Sequence, residues 1–354
     1  MADRSVPPLA GFAVDRDASA RDEPDHEARF AADPSARVVA VSDGRVLLAE
    51  RIDGSAPALD LRAPGDLPAG RVQGYLGREA SGRVDAEGAQ TASPGGLTDD
   101  PGAPTDDPGG PTDDSGEPTD APAGPVAFRD FDEETAALVE PDRTRWIPLR
   151  TAATMLGERE ASFAATAIAL ANWHGRNPRC PRCGATTQAV QAGWARRCDD
   201  DGSLHFPRTD PAVIVLVTDD DDRVLLGSNA MWETSRFSLL AGFVEPGESL
   251  EAAVAREIRE EAGLAVDRIE YASSQPWPFP GSLMLGFRAR AAAGVDPASA
   301  VADGTEILEL RWFTRDDLIA PTDVVLPGET SIARWLLEAW YGGPIAADAP
   351  WTTS

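Results

Sequence analysis

Residues Gly242–Leu264 read GFVEPGESLEAAVAREIREEAGL, which is a turn, a helix and a stop. Pro246-Gly247 makes the turn, Glu248 to Ala262 is predicted as one helix, and Gly263 ends it. Glu257, Glu260 and Glu261 stand at i, i+3 and i+4. At about 100° per residue their carboxylates share one face. Like charges so close repel, by a few tenths of a kcal/mol per exposed pair. A divalent cation between them reverses that penalty, and hard oxygen ligands suit Mg²⁺ or Mn²⁺, which also bind phosphate oxygens. Leu250, Val254 and Ile258 form an apolar stripe beside this face, and Arg256 can hold a neighbouring glutamate by bidentate hydrogen bonds. Three glutamates at this spacing, taken alone, also describe a solvated acidic face.

The wider pattern decides between the two. Gly242, Glu248, Arg256-Glu257, Ile258, Glu260-Glu261, Gly263 and Leu264 stand at the spacing of the Nudix box, and the stretch resembles it at every defining position. The resemblance implies an α+β fold: a Nudix α/β/α sandwich with a mixed sheet, in which the box glutamates bind the metals that activate water on a diphosphate. It makes Glu257 and Glu261 metal ligands, and Glu260 a further ligand or the general base. Glu248, Arg256, Gly242 and Gly263 are then structural, and the backbone carbonyl of Ala241 reaches a metal. A metal-binding glutamate is expected further on, in TEILELRWFTRDDL. Glu306 is the match there and Glu309 its nearest competitor.

Ten residues past the box, Ser274–Ser282 read SQPWPFPGS. Three prolines predict a stiff loop. It presents Trp277 and Phe279 for stacking on a base, and Gln275 and the serines for hydrogen bonds to it. A Pro-aromatic loop that only packs the core has the same composition. The segment resembles the array of the NADH pyrophosphatase branch of Nudix enzymes, which implies substrate contacts along Gln275, Pro276, Trp277, Pro278, Phe279, Pro280, Gly281 and Ser282. The resemblance covers about residues 130–342, and 30–75 in weaker form. It implies hydrolysis of NADH or NAD⁺ to AMP and nicotinamide mononucleotide, with removal of NAD caps from RNA 5′ ends as a related activity, in a homodimer whose sites draw on both chains. By the same likeness Phe243 and Phe206 sandwich a base, with Phe206 standing where the family usually has Tyr, and Ala333 lines the substrate.

Cys180-Pro-Arg-Cys183 and Cys198 look like three corners of a zinc ribbon, with a structural Zn²⁺. A second C-x-x-C would need cysteine at 201, where this chain has Asp201. Asp201 or His205 would complete the tetrahedron, and a decayed site with plain buried thiols is the alternative. Residues 174–197 hold five Arg and no acidic residue. They form either a solvated basic patch or a contact for substrate phosphates and the first nucleotides of capped RNA.

The rest of the chain sets bounds. All 32 basic residues are arginine, which excludes a lysine nucleophile, and the net charge of −27 repels nucleic acid and anionic membranes in general. Residues 76–125 carry eleven Asp or Glu against two Arg, so −9 of that charge lies there. Within them TDDPGAP, TDDPGGP, TDDSGEP and TDAPAGP run in tandem from Thr98 to Pro125 and read as a disordered acidic insert, assigned to 77–125. Arg37–Glu50 and Ala212–Gly227 each read as strand, Asp-containing turn, strand, and share R-V-L-L, which suggests two copies of one β-rich unit. The expected organisation is a degenerate Nudix-like domain over 1–76 and 126–173, helical over Phe131–Trp173, then a zinc-ribbon module over 174–208. A catalytic domain follows over 209–342, closed by a helix at Thr330–Tyr341, with a tail over 343–354. No apolar run of membrane-spanning length and no export signal is read, so the cytoplasm is the expected location and no membrane partner is expected. The rival readings are a Nudix hydrolase for ADP-ribose or a sugar nucleotide, and a non-catalytic zinc-ribbon RNA-binding module.

Overall fold

The computed structural model describes residues 6–11, 14–51, 55–79, 124–232, 235–319 and 324–345. The acidic repeats lie outside the described residues, apart from Gly124 and Pro125.

The C-terminal domain is built on β11 (Asp210–Thr218), whose apolar residues run without a polar interruption from Ala212 to Val217. Such a run suits a strand covered on both faces. Val213, Val215 and Val217 point to one face and Ile214 and Leu216 to the other, as the two-residue period requires. The first face packs on α5 (Leu250–Ala262) through Ala253, Val254, Ile258 and Ala262, and the second on α6 (Ile332–Tyr341) through Ile332, Leu336 and Leu337. The sheet is completed by β12 (Val224–Asn229), β13 (Leu240–Phe243), β14 (Val266–Trp277), β15 (Ser282–Ala291) and β16 (Ile307–Phe313). Its order is β14-β15-β11-β12-β16, with β13 paired to β11. Only β11–β15 is parallel, so the sheet is mixed and the layers are α/β/α.

The N-terminal domain repeats this plan. Its strands are β1 (Val14–Asp15), β2 (Arg37–Ser42), β3 (Arg45–Leu47), β4 (Leu61–Arg62), β5 (Val72–Glu79), β6 (Val126–Asp130) and β7 (Trp146–Pro148). β5-β6-β2-β3-β7 follow one another across the sheet, β2–β6 is the parallel pair, and β4 pairs β2 from the side. Taken in chain order, β2 to β7 correspond to β11 to β16. The insert therefore occupies the connection that corresponds to the array turn between β14 and β15. Between β4 and β5, where α5 would stand, there is a single turn of 3₁₀ helix at Pro64–Asp66.

The stretch expected to be helical is interrupted. α2 (Glu133–Val139), α3 (Leu149–Met155) and α4 (Glu158–Arg176) follow α1 (His26–Ala32), and β7 lies between α2 and α3. Pro141 and Pro148 supply the breaks, since proline lacks the amide that a helix interior needs.

A three-stranded sheet, β8 (Thr187–Val190), β9 (Ala195–Cys198) and β10 (Leu204–His205), joins the two domains in sequence. One face rests on α4. Arg196, 9% exposed, bonds Thr187 through Nε and Nη2 and donates from Nη1 to His174 Nδ1 at 2.9 Å. His174 Nε2 in turn donates to the Gly193 carbonyl at 2.8 Å. Burial pushes the His174 pKa down to about 4, so the ring is neutral and can accept from the guanidinium. Arg196 is thus taken up by the interior, while Arg176, Arg179, Arg182 and Arg197 are exposed.

Candidate active site

The carboxylate helix starts at Leu250, two residues later than its sequence suggests. Gly247 takes φ +90°, and the Ser249 hydroxyl caps the helix by accepting from the Ala252 amide at 3.2 Å. Glu248 therefore stands outside the helix. Its two oxygens accept from Arg256 Nε and Nη2 at 2.8 and 2.9 Å, a bidentate clasp across the first turns. Arg256 Nη1 donates to Glu257 at 2.8 Å and to Glu260 at 3.0 Å, and Nη2 reaches the Phe243 carbonyl at 2.9 Å. One guanidinium fixes three carboxylates and ties α5 to the end of β13. Gly263 closes the helix in the left-handed region at φ +69°.

Val254 and Ile258 are fully buried under the sheet, each contributing about 1.5–3 kcal/mol. That anchoring carries two charged groups inward. Glu257 is 9% and Glu261 4% exposed, whereas Glu260 stays at the surface. Gly242 makes room for Glu257: a Cβ on it would lie 2.0 Å from the Glu257 carboxylate.

Glu261 is the most perturbed carboxyl of the helix. Burial, then the negative charges of Glu257, Glu306 and Asp303, raise its pKa to about 8, against a hydrogen bond from the Ala241 backbone. Its Oε2 has no hydrogen-bond partner among the described residues. Burial also raises the Glu257 pKa, opposed by Arg256 and reinforced by Glu260 and Glu306. Glu306, immediately before β16, acts electrostatically on both helix carboxyls. Glu309 is paired with Arg311 at 2.6 Å. Glu257, Glu261 and Glu306 thus press on one another electrostatically, with the Ala241 backbone bonded to Glu261, while Glu309 is engaged by Arg311. A buried carboxyl with a bare oxygen, pressed by other carboxyls, is the donor set a divalent cation fits.

The ligand atoms of Cys180, Cys183, Cys198 and Asp201 lie within 4.8 Å of one another. Two similar turns hold them. In C-P-R-C-G the Arg182 amide donates to Cys180 Sγ at 3.4 Å, and Gly184 takes φ +77°. In C-D-D-D-G the Asp201 amide donates to Cys198 Sγ at 3.5 Å, and Gly202 takes φ +70°. Asp201 stands where Cys183 stands in the first turn. His205 is instead within 3.1 Å of the Ser203 hydroxyl and outside the cluster.

Comparison with known proteins bears on these sites. Residues 208–336 match the NUDIX domain, residues 176–206 the NADH pyrophosphatase zinc ribbon domain, and residues 35–173 the NADH pyrophosphatase-like rudimentary NUDIX domain. Successive stretches of the chain are thus similar to the rudimentary NUDIX domain, the zinc ribbon and the NUDIX domain of NADH pyrophosphatase-type proteins. The NAD-capped RNA hydrolase NudC of Mycobacterium bovis (strain BCG / Pasteur 1173P2) is 44% identical over 205 residues, 55% of this chain and 64% of the relative. The protein of that name from Mycobacterium tuberculosis (strain ATCC 25618 / H37Rv) gives the same values. The human NAD-capped RNA hydrolase NUDT12 is 36% identical over 211 residues, 54% of this chain and 44% of the relative. The chain thus spans less than two thirds of the length of each of these curated relatives.

The family's array is placed differently from the stiff, base-facing loop its composition suggests. Ser274 to Trp277 belong to β14, and only 278–281 form the turn, with a cis peptide at Phe279-Pro280. Gln275 is fully buried. Its Nε2 donates to the carbonyls of Pro8 and Thr330 at 2.6 and 2.7 Å, and its Oε1 accepts from the Ile332 amide at 2.8 Å. With these bonds made, the Gln275 amide is turned to the start of α6 and the N-terminal segment rather than to a base. Pro278 is buried and its carbonyl accepts from Asn172 of α4. Phe279 packs on the N-terminal core, and the Arg150 guanidinium lies 5.0 Å from the Trp277 ring and 4.4 Å from that of Phe279. Pro276 and Pro280 are exposed, and Gly281 and Ser282 half-buried. Ala333, expected to line the substrate, is 2% exposed in the core beneath α6. Phe206 and Phe243 are both 59% exposed, so each offers a free ring face.

Arg150 and Asn172, neither of them among the expected site residues, reach the array from the other domain. The sequence carries no signal for them, because both lie in an ordinary helical stretch.

Proposed function

We propose that the chain hydrolyses the pyrophosphate of an NAD(H)-like dinucleotide to AMP and nicotinamide mononucleotide, and that NAD-capped RNA 5′ ends enter the same site. The observation that carries this reading is the bare, buried oxygen of Glu261 among other carboxyls. Glu257, Glu261, Glu306 and the Ala241 carbonyl would hold Mg²⁺ or Mn²⁺. Such a cation, when bound, neutralises phosphate oxygens and acidifies water. The side chains do the rest. Arg256 holds Glu257 and Glu260 in one arrangement before substrate arrives, so little reorganisation is left to the reaction. Glu260, exposed beside the buried pair, takes the proton of the attacking water. Phe206 and Phe243 supply stacking faces for a base. Cys180, Cys183, Cys198 and Asp201 would hold a structural Zn²⁺ that fixes the two turns of the ribbon. The three unpaired cysteines fit a reducing cytoplasm, and a homodimer is the expected assembly. Among the described residues no helix is long and apolar enough to cross a membrane.

Incubation with NADH in Mg²⁺ or Mn²⁺, followed by chromatography, should show AMP and reduced nicotinamide mononucleotide. The burial of Gln275 favours one second reading, a site tuned to another nucleoside diphosphate. Matched concentrations of NADH, ADP-ribose and NAD-capped RNA separate the two by kcat/KM. Stoichiometric binding without release of AMP would point instead to an RNA-binding module.

A further inference from the structure

The ribbon sheet has one face docked on α4 and one face open. Strand register says which side chains share the open face, because residues directly opposite in an antiparallel pair point the same way. Gln188 of β8 lies opposite Arg197 of β9, and Arg197 lies opposite Leu204 of β10. Thr186 precedes Gln188 by two residues and is bridged to Arg179. Phe206 follows Leu204 by two. The period of two therefore sets Arg179, Thr186, Gln188, Arg197, Leu204 and Phe206 on one surface. Of these, Arg179, Gln188, Arg197, Leu204 and Phe206 are exposed, Leu204 at 40% and Phe206 at 59%. The intervening residues Thr187, Arg196 and Cys198 are buried on the other side.

The charge of this face runs against that of the chain. Arg197 makes no ion pair among the described residues, and Arg179 reaches only the Gly184 carbonyl at 3.2 Å. By the same period Asp199, two residues past Arg197, falls at the knuckle end of this face, where it accepts from the Thr186 hydroxyl at 2.5 Å, and Asp201 belongs to the cysteine cluster. In a molecule of net charge −27, unpaired guanidinium groups on an open sheet call for an anionic partner from outside. An exposed cation beside apolar and aromatic side chains is the surface that a single nucleic-acid strand uses, with phosphates on arginine and bases on flat faces. At its β10 end the face includes Phe206, one of the two exposed rings assigned above to a base.

We propose that this open face carries the single-stranded RNA that follows a 5′ NAD cap, with Arg179 and Arg197 on its phosphates and Leu204 under a base. The proposal rests on the reading of the hydrolytic site as one that takes NAD-capped RNA. It assigns the ribbon a substrate-holding role beside its structural one.

The test uses the full chain with zinc retained and no Mg²⁺ or Mn²⁺, and a short fluorescent single-stranded RNA bearing a 5′ NAD cap. Fluorescence anisotropy is read across a salt series for the wild type and for the double variant R179Q/R197Q. The variant should bind about tenfold more weakly, and the slope of log Kd on log salt should fall by about 1.4, at about 0.7 for each phosphate that arginine no longer neutralises. Its zinc content, its melting temperature and its kcat/KM for NADH should match the wild type. Unchanged RNA affinity and slope in a variant that keeps its zinc would overturn the proposal. So would an equal loss of kcat/KM on NADH and on capped RNA, since the arginines would then serve the dinucleotide. The binding measurement needs no turnover. Wild-type protein that releases no AMP, together with a variant that loses RNA binding, would sink the hydrolase reading and leave the surface standing.

Discussion

Glu261→Gln should stabilise the protein freed of Mg²⁺ and Mn²⁺ and at the same time disable it. In the folded chain the Glu261 carboxyl keeps its proton up to about pH 8, whereas a carboxyl in the unfolded chain releases it near 4.5. Between those values the folded state binds more protons, so stability falls as pH rises through the window. From 4.5 to about 8, at about 1.4 kcal/mol per pH unit, the ceiling on that loss is about 5 kcal/mol. Glutamine keeps the shape and carries no charge, so its metal-free stability should lack this slope. With zinc retained, melting curves of wild type and variant should nearly coincide at pH 5. By pH 8.5 they should separate by on the order of 10 °C, the variant higher, at about 2–4 °C per kcal/mol. Added Mg²⁺ should raise the wild type and leave the variant nearly where it was, while turnover of NADH drops at least about a hundredfold. Parallel pH profiles for the two proteins would refute the assignment of a buried, repelled carboxyl. Near-normal turnover in the variant would remove Glu261 from the site altogether.

Gly242→Ala adds a Cβ that falls 2.0 Å from the Glu257 carboxylate, so Glu257 must leave its place. NADH turnover should drop about tenfold or more, with circular dichroism and melting temperature little altered. Asp201→Ala should lose zinc, measured by a metal-release assay, and Asp201→Cys should keep it, while Ala at His205 leaves the zinc content unchanged. Gln275→Leu leaves the Pro8 and Thr330 carbonyls and the Ile332 amide without their partner. At about 1–3 kcal/mol for each buried group left unpaired, the melting temperature should drop by several degrees or more. The KM for NADH in the folded fraction should stay within about twofold, and a large rise in KM at unchanged melting temperature would return Gln275 to the substrate.

The box was legible in the sequence because everything that makes it work is local. A helical period sets the carboxylates on one face and a glycine marks the end, whereas the Ser249 cap moves the start two residues past the expected one. Gly242 is a different matter, since its reason is Glu257, a residue brought against it only when α5 packs on the sheet. The placement of the array was not legible for a related cause. Proline, tryptophan and phenylalanine describe a base-stacking loop and a domain seam equally well, and what separates them is far off in the chain. The groups that fix Gln275 and Pro278 lie 267, 55 and 106 residues away. Ala333 follows the same rule: its helix was readable, but the side it turns to the sheet was not.

The shared R-V-L-L was the one visible trace of a duplication that the strand order makes plain, and the two copies differ where the chemistry lies. Glu306 immediately precedes β16, and its carbonyl accepts from the residue leaving β12, Ala230, at 2.8 Å. In the first copy Arg145 holds that position before β7, and its carbonyl accepts from Leu48 at 3.0 Å. Its guanidinium pairs with Asp60 at 2.5 Å and with Glu140, and Arg62 pairs with the same two carboxylates at 3.0 and 3.4 Å. Two cations already balance two anions there, and among the described residues no helix stands where α5 would bring further carboxylates to attract a divalent ion. It has kept a surface instead. Asn172 and Arg150 hold the array turn, and the Pro8 carbonyl holds Gln275. Because Gln275 also binds the first amide of α6, the N-terminal copy bears on the placement of a helix in the copy that carries the carboxylates. Having lost the charge for chemistry, the first copy acts on the second by position alone.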